Sequence, residues 1–172
     1  MAGDRARVVA GCAVLLAAPL LLGGIGLTSS FDERILAAHN RERAAMGIAP
    51  LRWSERLTAS ARASAEHLAR TGQVEHTSGS GLAEGENIWA GTANSYSAEA
   101  MVDAWIEEKE AYRPGPFPGN SATGRAADVG HYTQVMWRRT REVGCARATG
   151  TGEDFLVCRY SEPGNRMGER PF

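Results

Sequence analysis

Two cysteines near the C-terminus restrict the fold of this chain more than any other feature. Cys145 and Cys158 lie on either side of a turn-rich Thr-Gly-Thr-Gly segment. The residues at 143–148 and 155–160 have the composition of strands, and the pattern predicts a β-hairpin. If the hairpin is centred between residues 151 and 152, the two cysteines lie directly opposite each other. Directly opposed Cβ atoms are ~4.5–5.5 Å apart, so a disulfide requires only small adjustments.

The N-terminal residues 1–29 are organised as a leader. Arg5 and Arg7 precede an uncharged, mostly apolar run at residues 8–27. A basic start, an apolar stretch and a short polar exit are typical of a secretory signal peptide. The run can also span a bilayer of ~30 Å as a helix, so an uncleaved N-terminal anchor is the alternative. We expect one folded domain at residues 30–172 in a protein that is secreted, or anchored and facing outside.

Export also determines the state of the cysteines, because thiols outside the cytosol are not kept reduced. Cys12 lies in the leader, so the folded domain contains one pair. We therefore predict a disulfide between Cys145 and Cys158. The alternative is two free, buried cysteines.

The charge of the chain limits its partners. Its formal net charge is −1 at pH 7, and a near-neutral domain offers no general electrostatic footprint for nucleic acid. We expect no nucleic-acid partner, membrane contact only through an uncleaved leader, and a monomer.

Capping and breaking residues predict three helices before the hairpin. A Ser-x-x-Glu capping box at Ser30 begins a helix that stops at Gly47. A second helix begins after Ser54 and ends near Gly72, and a third covers residues 97–112. Helices followed by a late hairpin indicate an α+β layer fold.

Two segments between and after these elements lack a regular pattern. Residues 72–91 are rich in glycine, and we predict an irregular loop there, of a length that is usually functional or mobile. The tail at residues 161–172 is rich in Gly and Pro and is predicted to lie over the surface.

One acid on the third helix is singled out by its position on a helical wheel. Trp105 and Met101 share an apolar stripe, and Glu108 lies at its edge. Glu107 and Glu110 face away from it. Glu108 is therefore the glutamate expected to be partly buried, and a buried carboxylate needs a partner. The alternative is a glutamate at the rim that reaches water.

The chain has four histidines, which are His39, His67, His76 and His131. We expect His67 on the surface, and His39 in a packing or hydrogen-bond network with Asn40 and Arg43. No pair has the His-x-x-x-His spacing of a helical zinc site. Spacing alone therefore assigns no function to the histidines.

Five local strings change this interpretation. They are HNRER from His39, GENIW from Gly85, WIEEKEAY from Trp105, GHYTQVMWRRT from Gly130 and FLVCRYSEPGNRMG from Phe155. Together they resemble the CAP superfamily, which includes cysteine-rich secretory proteins, venom allergens and plant pathogenesis-related class 1 proteins. Within this superfamily, the chain resembles a bacterial member, and its sequence pattern is closest to that of the plant proteins.

The chain also departs from the family pattern. Glu162 stands where the family usually has proline, and Arg166 replaces an apolar or aromatic residue. Two of the three family disulfides are missing, and the bridge that remains is Cys145–Cys158.

The resemblance implies a three-layer α-β-α sandwich with a central cleft. Two histidines and two glutamates line this cleft in the family, and by motif they are His76, Glu86, Glu108 and His131. The imidazoles of His76 and His131 could hold Zn²⁺ or another divalent ion, with the carboxylates orienting them. Alternatively, the four groups act as acids and bases, or satisfy each other structurally.

Two classes of function follow from the resemblance. The first is an extracellular binding module for a lipid, sterol or peptide, with weak binding of a divalent metal. The alternative is a metal-assisted extracellular hydrolase or protease. No serine or cysteine nucleophile is recognisable, and a bridge between Cys145 and Cys158 argues against a thiol protease.

Overall fold

The computed structural model describes residues 30–76, 84–150 and 152–172, so the predicted leader lies outside the described residues. In chain order, the elements are α1 (Phe31–Ala45), β1 (Arg52–Trp53), α2 (Glu55–Thr71), β2 (Gly85–Thr92), α3 (Ala98–Ile106), α4 (Gly130–Val135), β3 (Glu142–Gly150) and β4 (Glu153–Ser161). Short 3₁₀ segments at Glu107–Glu110 and Ala126–Asp128 lie between α3 and α4. None of the helices in these ranges is both long and apolar enough to cross a membrane.

The strands form one mixed sheet in the order β1-β3-β4-β2. β4 lies between two antiparallel neighbours, β3 and β2, whereas β1 pairs with β3 in parallel. Helices α1, α3 and α4 pack on one face, and α2 packs on the other. The predicted α+β fold with three α-β-α layers is confirmed.

Strand β4 connects the two hydrophobic cores, because successive side chains on a strand point to opposite faces. Leu156 and Tyr160 pack with α1 and α3, while Phe155 and Val157 pack with α2. Both faces of β4 are therefore buried, and the strand forms the centre of the domain.

The ends of α1 and α2 follow their predicted caps. Ser30 Oγ accepts a hydrogen bond from the Glu33 amide at 3.2 Å, and the Glu33 carboxylate accepts one from the Ser30 amide at 2.8 Å. Gly47 after α1 and Gly72 after α2 have φ of 65° and 67°, a left-handed conformation that glycine adopts without steric cost.

The third helix is shorter than predicted. It ends as an α-helix at Ile106 and continues as the 3₁₀ segment Glu107–Glu110. Several acids at the C-terminal end oppose the helix dipole, which disfavours further α-helical turns there. The predicted orientations still hold, because Glu107 and Glu110 are exposed and Glu108 is partly buried.

The prediction of an irregular loop over residues 72–91 is wrong for residues 85–91, and residues 77–83 lie outside the described residues. Gly85–Thr92 is strand β2, which pairs with β4 along its whole length. Its glycines pack closely against side chains, since a Cβ on Gly85 would lie 2.2 Å from Gln134 Oε1 and one on Gly91 would lie 2.5 Å from the Trp89 ring. The two glycines that suggested a loop therefore lie in a strand over which neighbouring side chains pack.

The hairpin has the predicted register. Cys145 lies opposite Cys158 with a Cα–Cα distance of 4.1 Å, and the two form the predicted disulfide. The tail beyond β4 runs over the surface as predicted. It is held at its end, where the Pro171 carbonyl accepts a hydrogen bond from the Arg138 amide and Phe172 stacks on Tyr112.

Candidate functional site

Three of the four predicted site residues line a single cavity of about 180 Å³, namely His76, Glu86 and His131. Asn87 and Asn165 line it as well. The fourth predicted residue, Glu108, is hydrogen-bonded to His131. The structure therefore brings all four predicted residues together as two histidine–glutamate pairs.

The first pair joins the 3₁₀ segment Glu107–Glu110 to the start of α4. The Glu108 carboxylate accepts hydrogen bonds from the backbone amides of His131 at 2.9 Å and Tyr132 at 3.0 Å. It also bonds the Nδ1 atom of His131 at 2.6 Å. These bonds satisfy first-turn amides of α4 and fix the imidazole. The Nε2 atom of His131 has no hydrogen-bond partner among the described residues.

The second pair has an exposed histidine and a buried carboxylate. The side chain of His76 is 66% exposed and that of Glu86 is 8% exposed. His76 Nδ1 lies 3.0 Å from Glu86 Oε1, and Arg159 Nη2 lies 2.6 Å from Glu86 Oε2. The hydrogen bond to Glu86 raises the pKa of His76. The buried Arg159 places a positive charge beside the buried Glu86 carboxylate, as a carboxylate out of water requires.

A buried polar chain connects the cleft to α1. Asn87 donates hydrogen bonds to the His131 carbonyl at 3.1 Å and to the Tyr160 hydroxyl at 3.3 Å. Tyr160 in turn bonds His39 Nε2 at 2.9 Å, and His39 Nδ1 donates to the Ile35 carbonyl. Burial lowers the pKa of His39 to about 4, so this imidazole is neutral near pH 7.

The other residues of the first motif are structural, as predicted. The buried Arg43 guanidinium donates to the carbonyls of Val135, Trp137 and Thr140, and also to that of Ala49. Asn40 exchanges two hydrogen bonds with the Leu51 backbone. His67 is exposed on α2, also as predicted. Asn40 and Arg43 hold the loops after α1 and α4, and neither residue lines the cleft.

Sequence reasoning missed three residues around the cleft: Asn87, Arg159 and Asn165. Asn165 fixes the tail beside the cavity, because it bonds Thr133 Oγ1 at 2.6 Å and the Gly130 carbonyl at 2.8 Å. All three lie in or next to the motif strings. A buried Glu86 carboxylate needs a cationic partner, and this requirement was the sequence signal that could have identified Arg159.

The donor set is small for a metal ion. Within the described ranges, no group of three or more His, Cys, Asp or Glu side chains is arranged to hold one. Two imidazoles at one cavity, each held at Nδ1 by a carboxylate, fit the way proteins orient histidine ligands. The described residues therefore offer two imidazole nitrogens at this cavity, fewer than the three or more protein ligands of a complete metal site. Ser, Thr, Cys and Lys are absent from the described residues that line the cavity.

Comparison with known proteins places this arrangement in a family. The family model described as cysteine-rich secretory protein family, CAP, matches residues 36–160. The chain belongs to the CAP family. This range includes His76, Glu86, Glu108 and His131. Members of this family are typically secreted.

The sequence relatives of this CAP chain are pathogenesis-related proteins. It is 37% identical over 145 residues to pathogenesis-related protein PR-1 of Medicago truncatula, with 83% of this chain and 80% of the relative covered. It is 37% identical over 142 residues to pathogenesis-related protein 1A of Nicotiana tabacum, covering 82% and 80%. These relatives confirm the resemblance to the plant pattern, and they give the expected bacterial source no support.

A solved structure supports the fold independently. The crystal structure of NaASP2 with Zn²⁺ matches with a TM-score of 0.71 at 22% identity, over 84% of this chain and 86% of that one. At this identity, the likeness establishes the shared CAP architecture. The zinc ion is a property of that crystal structure.

Proposed function

We propose that this CAP protein is a secreted, non-hydrolytic binding module that presents its His/Glu cleft to a peptide, or to the polar end of a lipid or sterol. The observation that carries the proposal is the state of the carboxylates. Glu108 accepts three hydrogen bonds, and Glu86 is held by Arg159 and His76. A carboxylate engaged in this way positions its neighbours and is poorly placed to act as a general base.

The size of the cleft favours partial entry of a ligand. Its volume is about 180 Å³, whereas pockets that enclose a small molecule measure ~300–1,000 Å³. A peptide side chain or a lipid head group fits within such a volume. The remainder of the ligand would extend over the surface outside the cleft.

A divalent ion such as Zn²⁺ is the proposed cofactor of the cleft, held weakly by His76 and His131. Glu86 and Glu108 would orient the two imidazoles. The ion would supply a positive charge and open positions for an oxygen atom of the ligand. Because only neutral imidazoles ligate metal, and Glu86 raises the pKa of His76, the affinity should fall as the pH is lowered from neutral.

Calorimetric titration with Zn²⁺ near neutral pH tests the metal component. We expect heat of binding with the wild-type protein and none with the double variant His76→Ala/His131→Ala. The variant His67→Ala is the matched control, because it removes an exposed histidine remote from the cleft, and it should bind as the wild type does. No heat with the wild type, or equal heat with the double variant, would reject the site.

Hydrolysis assays test the non-enzymatic character. Purified protein with Zn²⁺, Ca²⁺ or Mg²⁺ should hydrolyse no member of a broad panel of peptides and esters. If the wild type hydrolyses a substrate and His131→Ala does not, the binding-module proposal is wrong and the metal-assisted hydrolase is supported. Co-purifying peptides or lipids, identified by mass spectrometry, would name the ligand.

Export is tested by the mass of the protein recovered from the culture medium. A mass that lacks part or all of residues 1–29 shows secretion with cleavage. Protein that stays with the membrane fraction at full mass would show an anchored form.

A further inference from the structure

Strand β3 has an open edge. β1 pairs with β3 only through Arg52 and Trp53, opposite Glu142 and Val143. β3 continues to Gly150, and no other described strand lies beyond β1 on that side. An unpaired edge exposes a row of backbone N–H and C=O groups that can bind another strand.

The register shows which backbone groups face outward. The Val143 carbonyl accepts a hydrogen bond from the Ser54 amide, so Val143 faces β1. Backbone direction alternates along a strand, so Cys145, Arg147 and Thr149 face the same way, away from β4. The 4.1 Å Cα–Cα distance between Cys145 and Cys158 agrees, because facing residues that exchange no hydrogen bonds are the closer pairs, at ~4.5 Å.

A slot of about 250 Å³ lies against this edge. The start of α1 and the first half of α2 form its walls, and β3 forms its base. The residues that line it include Phe31, Asp32, Thr58, Arg62, Cys145 and Arg147. Cys145 is only 2% exposed at the base of the slot, whereas Arg147 and Thr149 are exposed, so the outward backbone groups are accessible in the second half of β3.

We propose that this slot binds an extended peptide segment of another protein as an added β-strand alongside β3, with acidic side chains directed to Arg62. Backbone hydrogen bonds to the exposed residues Arg147 and Thr149 would supply the affinity, and pockets for alternate side chains would supply the specificity. The slot is separate from the His/Glu cleft, so this proposal stands or falls independently of the metal.

The charges of the slot indicate the acidic character of the peptide. Arg62 is exposed on α2 and interacts electrostatically with Asp32, but it makes no direct ion pair with any residue in the described ranges. Arg147 lies over the Phe31 ring at 5.0 Å and 3.7 Å from Asp154. Asp32 repels a carboxylate at the α1 wall, so an acidic side chain is favoured on the α2 wall beside Arg62.

The two walls also predict a sequence pattern. Side chains of an added strand alternate between the walls. One set meets the Phe31 ring, which favours apolar residues, and the other meets Thr58 and Arg62, which favours acidic residues. The expected ligand therefore alternates apolar and acidic residues.

The experiment measures amide hydrogen exchange by NMR in the ¹⁵N-labelled protein. The ligand is a short peptide of alternating valine and glutamate with both termini chemically blocked. Without peptide, the amides of Arg147 and Thr149 should exchange rapidly with solvent, because both residues are exposed. The amide of Ala146, which faces β4, should exchange slowly. Millimolar peptide should slow exchange at the two exposed outward amides at least tenfold and leave Ala146 unchanged.

Two altered peptides separate strand addition from simple charge attraction. Methylation of alternate peptide nitrogens on the edge facing β3 removes the donors and should abolish protection while leaving the charges in place. Replacing glutamate by lysine should weaken binding several-fold. Protein Arg62→Glu should prefer the lysine peptide, whereas the control Arg70→Glu, on an exposed part of the same helix, should keep the glutamate preference.

Three results would overturn the proposal. The first is slow exchange of the outward amides in dilute protein without peptide, which would show that the edge is already covered. The second is protection that rises with protein concentration alone, which would assign the edge to a second copy. The third is equal binding of the methylated and unmethylated peptides, which would exclude backbone pairing.

Discussion

Two polar sets in this molecule contain histidine, and they differ in burial. The α1 set, His39 and Arg43, is fully buried, and burial lowers the pKa of His39 to about 4. In the cleft set, the side chains of His76 and His131 are 66% and 31% exposed, and the Glu86 hydrogen bond raises the pKa of His76. The α1 set and His131 lie in the motif strings, whereas His76 lies outside them.

The difference lies in which atoms the fold leaves available. Both ring nitrogens of His39 are used inside the protein, by Ile35 and Tyr160. His76 and His131 each use Nδ1 for a carboxylate, and neither Nε2 has a partner in the described part of the chain. Burial and hydrogen bonding therefore explain the first set as structural, and they leave the second set with available ring nitrogens, as the proposed binding role requires.

The largest expected effect comes from removing the centre of the buried set. Arg43→Met retains the length of the side chain but leaves four carbonyls without their donor. At ~1–3 kcal/mol for each unsatisfied buried group, with some replaced by water, the free energy of unfolding should fall by about 3–5 kcal/mol. Urea denaturation measures it.

The control for Arg43 lies two residues earlier on the same helix. Arg41 forms an exposed ion pair with Asp103, with side chains 57% and 44% exposed. Arg41→Met should change stability by less than about 1 kcal/mol. Equal losses of stability in Arg43→Met and Arg41→Met would mean that the hydrogen bonds from Arg43 to the carbonyls make no specific contribution to stability.

The disulfide lies between the two sets, since Cys158 pairs with Asn87 and is two residues from Tyr160. The double variant Cys145→Ala/Cys158→Ala should lower the free energy of unfolding by about 3 kcal/mol. It should also weaken Zn²⁺ binding, because Asn87 supports the His131 carbonyl. A lower Tm with unchanged Zn²⁺ affinity would show that the disulfide stabilises the fold without supporting the cleft.

The pH dependence of stability separates the two sets by sign. The folded pKa of His39 is about 4, against an ordinary value of 6.5, so the unfolded state binds the proton more tightly. The contribution of neutral His39 to the stability of the fold is present above the unfolded pKa and is lost as the pH falls. The free energy of unfolding should decrease by about 2.5 kcal/mol between neutral pH and about pH 4.5 for this reason. The raised pKa of His76 acts in the opposite direction.

Comparison with His39→Gln isolates this contribution. The variant keeps a polar side chain that does not titrate, so the stability of the wild type should fall more steeply on acidification than that of His39→Gln. Parallel curves from chemical denaturation at a series of pH values would show that His39 is not the group responsible.

The smallest expected change in stability, with a clear effect on binding, comes from Glu108→Gln. The amide keeps one acceptor for α4 but loses the charge that orients His131. The affinity for Zn²⁺ should fall ~10–100-fold, and calorimetry measures it. Glu107→Gln, on the exposed side of the same segment, should bind Zn²⁺ as the wild type does. Equal affinities of the two variants would contradict the role of Glu108.

Local chemistry made part of the fold predictable. The capping box at Ser30, the left-handed glycines and the Cys145–Cys158 register each depend on neighbouring residues, and all three are confirmed. The position of Glu108 followed from helical periodicity, even though the helix changes to 3₁₀ geometry at Glu107.

Tertiary contacts determine what could not be predicted. The two-residue strand β1 has no pattern of its own and exists because β3 pairs with it. Gly85 and Gly91 suggest a loop until the side chains of Gln134 and Trp89 are placed beside them. The contact between Arg159 and Glu86 joins neighbouring strands that are distant in sequence. The pairing of the two histidine–glutamate pairs around one cavity was likewise reached through family resemblance, because spacing alone does not show it.

The most direct test is an NMR spectrum of the four histidine rings recorded through their ¹⁵N atoms, with and without Zn²⁺ near neutral pH. The proposed function predicts that Zn²⁺ shifts the Nε2 signals of His76 and His131 and leaves both His39 and His67 unchanged. His39 should also show the pattern of a neutral ring protonated at Nδ1. Shifts confined to His67, or a spectrum in which no cleft histidine responds, would contradict the assignment of the cleft as the binding site.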